Sequence, residues 1–261
     1  MIGNKRKGMV LQTRDRHLLE ELAVMRVIDC ELARRVGPFG SVTRANYRLL
    51  LLTLAGLLHR FYIGTKAGGK KALYMLSPSG AKLIGASATG LRRKRDEIVA
   101  TDLFVAHQSG INRLYCDFKY GPATPGGVLF NRWVTFTAPL DRTVPLIPDG
   151  YVECGGADDL SAFIEVDLAH ERLSVWQVKV RNYLHFAASG SFRDQFGRNR
   201  FVVLVVCESH GRMESLRGAI AKLTEKIFRF TTFDLIGEHG LWSAIWRKPA
   251  GKELHALVER P

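Results

Sequence analysis

Three carboxylates in the second half of the chain have types and spacing that suit phosphodiester chemistry. Asp149 follows a proline, and Glu165 and Asp167 lie two residues apart in an otherwise apolar run. Residues two apart in a strand point to the same face of the sheet. Carboxylates held this close repel one another unless a divalent cation or a cationic side chain joins them, and such oxygen ligands suit Mg²⁺ or Mn²⁺. The pattern therefore predicts a metal site that polarises a phosphate and activates water.

The same carboxylates allow a second interpretation. A sheet with one solvated face carries acidic side chains there without any ligand. Glu165 and Asp167 would then be surface residues, and the residues alone leave both interpretations open.

The elements that must position these carboxylates alternate between strands and helices. A helix predicted over 96–118 precedes three strand-like runs, and two helices and further strands follow. A strand, helix, strand order predicts a mixed sheet with a parallel part, so we expect an α/β fold, α+β overall. The predicted strands are 128–137, 144–154, 162–168, 201–207, 230–236 and 242–247, with helices over 173–188 and 213–227.

Charge divides the chain into two parts. The 261 residues carry a net charge of +13. Residues 1–95 hold 19 Lys and Arg against 5 Asp and Glu, a net charge of +14, whereas residues 96–261 hold 19 against 20, a net charge of −1. This asymmetry predicts two units, the first of which binds a polyanion. The alternative is a basic surface that only keeps the protein in solution.

Several protein classes are disfavoured by composition. The longest apolar run, 49–58, is half the length of about 20 residues that a membrane helix needs. The first residues lack the apolar stretch of a secretory signal. The four cysteines are far apart without any CxxC pair, which favours buried thiols in a reducing cytoplasm over a zinc site. We expect a cytoplasmic protein with no membrane partner.

The basic part has the element order of a winged helix-turn-helix. Helices are predicted over 14–26, capped by Thr13, over 30–36, capped by Asp29, and from Ser41 or Thr43 to about Leu54. A strand, a basic glycine-rich turn and a second strand follow over 61–75, and a short helix begins at Pro78. The leucines of the third helix, Leu54 included, are expected to pack inward.

A winged helix-turn-helix places its third helix in the major groove of double-stranded DNA. Arg suits guanine and Asn suits adenine in bidentate contacts, whereas lysines on the hairpin tip meet phosphates. The alternative is a winged helix that serves dimerisation or protein binding. The predicted DNA-binding residues are Thr43, Arg44, Asn46 and Arg48 of the helix, and Lys66, Lys70 and Lys71 of the hairpin.

A stretch of small residues, 85–90, precedes the basic run 91–95 and resembles a linker. The predicted domains are 1–90, the winged helix-turn-helix, and 91–261, the mixed-sheet domain.

The spacing of Asp149, Glu165 and Asp167 resembles the sequence pattern of the PD-(D/E)xK restriction-endonuclease-like superfamily. Fifteen residues separate Asp149 from Glu165, and one residue separates Glu165 from Asp167. The usual third residue of that pattern is lysine, where this chain has Asp167. Some members of the superfamily carry the lysine on the following helix, and Lys179 lies there, with Tyr183 one turn later. The resemblance implies catalysis by Asp149, Glu165, Asp167 and Lys179, with Mg²⁺ or Mn²⁺ held by the three carboxylates.

Residues 10–235 as a whole are similar to the replication–relaxation family of plasmid and mobile-element proteins. The similarity rests on the order of the segments LQTRDRHLLEELAVMRVIDCELARRV, ALYMLSPSGAKLI, AHQSGINRLY, IPDG and FIEVDLAHE. Related mobilisation relaxases join a winged helix to a restriction-endonuclease-like domain. The resemblance also matches His107 and Asn112 to polar positions of the family's first nuclease-domain helix.

Two functions follow from these resemblances. The first is a DNA-binding protein acting in replication initiation, relaxation or mobilisation, which nicks DNA as a metal-dependent endonuclease or relaxase. The second is a non-catalytic DNA-binding regulator or initiator whose nuclease-like domain serves dimerisation or binds replication or mobilisation proteins. The missing strand lysine and the near-neutral charge of the second part favour the second function. A third interpretation is an accessory protein that acts mainly through protein contacts.

Overall fold

The computed structural model describes residues 9–64, 68–86, 102–122, 127–141, 144–155 and 160–258. The chain divides into two compact units, Met1–Cys116 and Asp117–Pro261. The domain boundary predicted at residues 90 and 91 lies outside the described residues, as does the basic run 91–95. The division between the two compact units falls within a helix of the described part.

The helices and strands of the first unit occur in the predicted order. They are α1 (Thr13–Met25), α2 (Cys30–Val36), α3 (Val42–Leu54), β1 (Leu58–Gly64), β2 (Lys70–Leu76), α4 (Pro78–Leu83) and the first part of α5 (Asp102–Tyr120). β1 and β2 pair antiparallel as a hairpin. The predicted mixed α/β class is confirmed.

Short polar side chains begin three of these helices. Asp29 accepts a hydrogen bond from the Leu32 N–H at 2.8 Å, Ser41 begins α3 and Ser77 begins α4 in the same way. The cap predicted for α1 is wrong by one residue, because Gln12 precedes the helix and its N–H donates to the Asp15 carboxylate at 2.6 Å.

Apolar side chains of α1, α2 and α3 form the core of the first unit. Leu49 and Leu52 are buried on one face of α3. The expectation that Leu54 packs inward is wrong, since its side chain is 74% exposed. Two residues beyond Leu52 the helix has turned about 200°, which points Leu54 to the opposite face.

Helix α5 is anchored in the first unit by apolar and polar contacts. Val105 packs with Val27 and Leu73. The buried Asn112 donates to the Val27 carbonyl at 2.5 Å, and the Tyr115 hydroxyl donates to the Glu21 carboxylate at 2.6 Å. These contacts explain why the division between the units lies late in this helix.

The second unit is built on a mixed sheet of five strands. Their order is β3-β4-β5-β6-β7, with antiparallel pairs from β3 to β5 and parallel pairs from β5 to β7. The elements are β3 (Phe130–Val134), β4 (Gly150–Cys154), β5 (Leu160–Asp167), α6 (Leu173–Ala188), α7 (Ser191–Phe196), β6 (Val202–Cys207), α8 (His210–Ala221), β7 (Phe228–Thr232) and α9 (Phe233–His239).

Three predicted strands differ from the structure. Residues 144–149 are not part of β4, because Pro145 and Pro148 remove backbone donors that a strand ladder needs. The strand predicted over 230–236 ends at Thr232, whose hydroxyl accepts from the Leu235 N–H at 3.2 Å and begins α9. In place of the strand predicted over 242–247, Trp246 and Arg247 form isolated bridges, to His255 and Phe230 respectively.

Strand β5 lies in the middle of the sheet and is buried along its whole length. Phe163 lies in an aromatic cluster with residues of α6 and α7. Glu165 and Asp167 follow Phe163 at intervals of two, so they lie on the same face and also meet α6. No helix in the described part of the chain is long and apolar enough to cross a membrane.

Candidate functional site

Glu165 forms the centre of a buried polar cluster between β5 and α6. Glu165 is 1% exposed. Lys179 Nζ lies 2.9 Å from Glu165 Oε2, and the Tyr183 hydroxyl donates to Oε1 at 2.7 Å. Lys179 and Tyr183 are four residues apart on α6 and therefore share its inner face. The helix lysine that the sequence offers does reach the acidic residue.

Burial and neighbouring charges together set the pKa values of Glu165 and Lys179. Burial raises the pKa of Glu165 to about 7, while the Lys179 charge and the Tyr183 hydrogen bond act to lower it. Burial acts to lower the pKa of Lys179, but Glu165 and Glu171 outweigh it and raise that pKa above its usual value. Lys179 Nζ also lies 2.9 Å from Glu171 Oε2. Lys179 therefore remains a cation held between two carboxyl groups.

Asp149 joins the cluster from the residue immediately before β4. Its Oδ2 accepts from the Val166 N–H at 2.7 Å, which ties it to β5. Its negative charge contributes to the raised pKa of Glu165. The structure thus places Asp149 and Lys179 close to Glu165.

Asp167 has a different environment. Both of its oxygens accept from Arg212 of α8, Oδ1 from Nε at 2.7 Å and Oδ2 from Nη2 at 2.9 Å. The Trp176 indole N–H and the Ala169 N–H donate to the same carboxylate at 2.7 and 2.8 Å. Burial acts to raise the pKa of Asp167, but these donors outweigh it and hold that pKa below its usual value.

The carboxylates differ in how well they fit a divalent cation. Mg²⁺ is commonly held by one or two carboxylates and keeps several waters, and Asp149 and Glu165 supply two such groups side by side. Asp167 does not fit, since four donors already occupy its oxygens and Arg212 neutralises its charge. Among the residues that the structure describes, no group of three or more His, Cys, Asp or Glu could hold a metal ion.

The exposed face of α3 is the candidate nucleic-acid interface of the first unit. Thr43, Arg44 and Asn46 are exposed, as predicted. Tyr47, which the sequence argument missed, is 62% exposed on the same part of the helix. Its position one turn after Thr43 places it on the same side of the helix, and this spacing could have identified it from the sequence.

Arg48 does not belong to this exposed face. Its side chain is 11% exposed, and Nε donates to Asp15 Oδ1 at 2.7 Å while Nη2 donates to the Val10 carbonyl at 2.8 Å. The prediction that Arg48 is an exposed position is wrong, because the buried Asp15 carboxylate of α1 requires a cationic partner.

The two described lysines of the hairpin, Lys70 and Lys71, have different environments. Lys70 is exposed. Lys71 lies with Nζ 2.5 Å from Asp29 Oδ2, so its charge is partly used within the unit. Lys66 lies outside the described residues. Arg60 and Tyr62, which the sequence argument missed, are exposed on β1 and were signalled by the alternation of this strand.

Arg212 and Glu171 are the residues of the carboxylate cluster that the sequence argument missed. Arg212 lies 45 residues after Asp167, and no short motif links such distant positions. Asn112, which the family resemblance singled out, is a buried structural residue of α5. His107 is partly buried on the same helix.

A protein-family model described as replication-relaxation matches residues 19–202, which is more than half of the chain. The match begins in α1 and extends to the start of β6. No curated protein and no solved structure matches the chain significantly.

Proposed function

The chain belongs to the replication-relaxation family, and on this premise we propose that it binds double-stranded DNA of a plasmid or other mobile element through its first unit. Its role is in replication initiation, relaxation or mobilisation. The observation that carries the proposal is the exposed polar face of α3, with Thr43, Arg44 and Asn46, on the unit that contains the strongly basic part of the chain.

The local structure supports recognition by α3. The helix and the hairpin that follows have the order of a winged helix-turn-helix, in which the third helix enters the major groove. Arg44 carries the guanidinium that suits guanine, and Asn46 carries the amide that suits adenine. Leu49 and Leu52, on the opposite face of α3, are buried in the core. Their packing holds the helix in place while its polar groups face solvent.

Salt dependence tests the DNA-binding proposal. If the protein makes about 6–8 phosphate contacts, the logarithm of its affinity for a duplex falls with log salt at a slope near −6. Fluorescence anisotropy with the full chain measures this slope. Arg44→Ala should weaken binding, whereas Arg34→Ala, at an exposed arginine of α2, should weaken it less. A slope near zero would contradict the proposal.

Metal-dependent strand cleavage is a second candidate function, favoured by the 2.9 Å contact between Lys179 and Glu165. Asp149 and Glu165 would hold Mg²⁺ or Mn²⁺, which when bound supplies Lewis-acid chemistry at a phosphate. Lys179 would stabilise negative charge that develops on the phosphate. Asp167 keeps a structural role in this version of the site, because Arg212 occupies it.

Nicking of supercoiled plasmid by the purified full chain tests this candidate. We expect nicked product with Mg²⁺ or Mn²⁺ but not with EDTA, and its loss in Glu165→Gln. Glu238→Gln, at an exposed glutamate of α9, is the matched control. Equal nicking by wild type and Glu165→Gln would refute the assignment. Salt-dependent DNA binding without cleavage under either metal would favour the non-catalytic alternative, in which the second unit serves dimerisation or binds replication or mobilisation proteins.

A further inference from the structure

The ammonium group of Lys179 is shared between two carboxylates. Its Nζ donates to Glu165 Oε2 at 2.9 Å and lies at the same distance from Glu171 Oε2. The same Nζ lies 5.0 Å from the centroid of the Trp176 ring. The charge of Lys179 is thus neutralised within the protein, and a DNA phosphate gains the full attraction of this cation only if one carboxylate moves away.

The two carboxylates differ in how firmly the protein holds them. Glu165 is 1% exposed on the central strand β5, and the Tyr183 hydroxyl also donates to it. The side chain of Glu171 is 41% exposed and lies in the loop that joins β5 to α6. A half-exposed carboxylate regains water when it leaves its partner, whereas a buried one does not. Glu171 is therefore the carboxylate that can leave Lys179 at low cost.

The backbone that carries Glu171 is fixed on both sides. The Glu171 carbonyl accepts from Arg212 Nη2 at 2.5 Å. Ala169 has a positive φ of 63°, and its N–H donates to Asp167 Oδ1 at 2.8 Å. Alanine rarely adopts such a φ, so the Asp167 carboxylate holds the loop in a shape that the loop would not keep by itself. Asp167 and Arg212 thus act as positioning residues that bring the Glu171 side chain to Lys179.

The surroundings of Glu171 favour a role at the lysine over a role as a metal ligand. Among the residues that the structure describes, no group of three or more His, Cys, Asp or Glu could hold a metal ion, so Glu171 is not placed as a third ligand beside Asp149 and Glu165. Its Oε2 faces a cation instead. Carboxylate and phosphate oxygens are both anionic and bind an ammonium at similar distances. Glu171 Oε2 therefore marks a position that a phosphate oxygen can take.

We propose that Glu171 is an internal substitute for a DNA phosphate, which holds Lys179 in the free protein and is displaced by the phosphate of bound DNA. The proposal rests on the proposed cleavage function and concerns the regulation of that site. The Glu171 carboxylate and a phosphate repel each other, so they compete for Lys179. A free anion in solution competes poorly, whereas a phosphate of DNA that the protein already holds competes at a high effective concentration. Glu171 thus reserves Lys179 for bound DNA.

Inhibition of plasmid nicking by inorganic phosphate, at constant ionic strength, tests this role in the full chain. Glu171→Gln keeps the size of the side chain and removes its charge. We expect inorganic phosphate to inhibit this variant at a roughly fivefold lower concentration than the wild type, and the KM for plasmid to fall while kcat is maintained. Glu238→Gln, at an exposed glutamate of α9, is the matched control and should behave as the wild type.

Chemical labelling of Lys179 gives a second readout that requires neither metal nor cleavage. Acetylation by an amine-reactive ester, measured for each lysine by mass spectrometry, reports whether an anion occupies the ammonium. We expect Lys179 to be labelled faster in Glu171→Gln than in the wild type, and inorganic phosphate to slow this labelling only in the variant. In the Glu238→Gln control, Lys179 should be labelled as in the wild type.

The outcomes separate this proposal from the one on which it rests. If the wild type nicks plasmid with neither metal, the cleavage function fails, and protection of Lys179 by phosphate in Glu171→Gln alone decides the role of Glu171. If phosphate acts equally on the wild type and Glu171→Gln, Glu171 is not a phosphate substitute. A lower kcat of Glu171→Gln at unchanged KM would assign Glu171 to the reaction itself and overturn the proposal.

Discussion

Arg48 of α3 donates from Nε to Oδ1 of Asp15 on α1 at 2.7 Å, so an ion pair joins two helices across 33 positions of sequence. Asp15 is fully buried, and the same guanidinium also binds the Val10 carbonyl. The pair fixes the orientation of the helix that exposes Arg44, Asn46 and Tyr47. A residue that resembles a DNA contact in sequence therefore stabilises, from the buried side of α3, the surface that we propose contacts DNA.

Arg48→Met should destabilise the protein by roughly 3–5 kcal/mol, since it leaves the Asp15 carboxylate buried without its cation. Urea unfolding at neutral pH measures the change. Arg34→Met, at an exposed arginine of α2, should change the unfolding free energy by less than about 0.5 kcal/mol. Equal stabilities of the two variants would show that Arg48 is not a structural residue.

Tyr47→Ala should weaken binding of a preferred DNA sequence by about 1–3 kcal/mol and leave the unfolding free energy nearly unchanged. The reason is that the ring is exposed on α3 beside the polar groups that we propose bind in the major groove, where each base contact contributes about that much. Anisotropy titrations on a selected and a scrambled duplex measure the effect. An equal loss on both duplexes would place Tyr47 at the backbone instead of at a base.

The pH dependence of stability should report Glu165. Its pKa is about 7 in the folded protein against an ordinary 4.5, so the folded state binds the extra proton between these values. The stabilising contribution is therefore fully present below pH 4.5 and is lost as the pH rises through 7. As the pH rises over this range, the unfolding free energy of the wild type should fall by up to about 3 kcal/mol relative to that of Glu165→Gln. A difference that stays constant with pH would contradict this.

Asp167 and Arg212 should behave as a structural pair. Arg212→Met leaves a buried carboxylate unpaired and should cost roughly 3–5 kcal/mol, whereas adding Asp167→Asn should recover part of that loss. Urea unfolding of the two single variants and the double variant gives their coupling free energy. If Asp167→Asn abolished metal-dependent nicking without changing stability, Asp167 would be a ligand after all.

The sequence predicted the elements with clear local signals. Asp29 and Ser77 mark helix starts because their side chains cap N–H groups within three residues. The apolar run of β5 predicted a strand, and the spacing of Glu165 and Asp167 correctly placed both on one face. These features depend only on neighbouring residues, so a single sequence carries them.

The sequence could not predict pairings between distant residues. Arg48 shares its polar type with Arg44, and only the buried position of Asp15 distinguishes their roles. The partner of Asp167 likewise comes from α8, beyond two intervening helices and a strand. The assignment of α5 to the first unit up to Cys116 also depends on tertiary contacts.

Selection of DNA from a random duplex library by the full chain tests the central claim most directly. We predict that the wild type enriches a defined sequence, and that Arg44→Ala and Asn46→Ala relax the preference for a guanine and an adenine within it. No enrichment by the wild type, or the same sequence selected with the same affinity by both variants, would contradict recognition of DNA by α3.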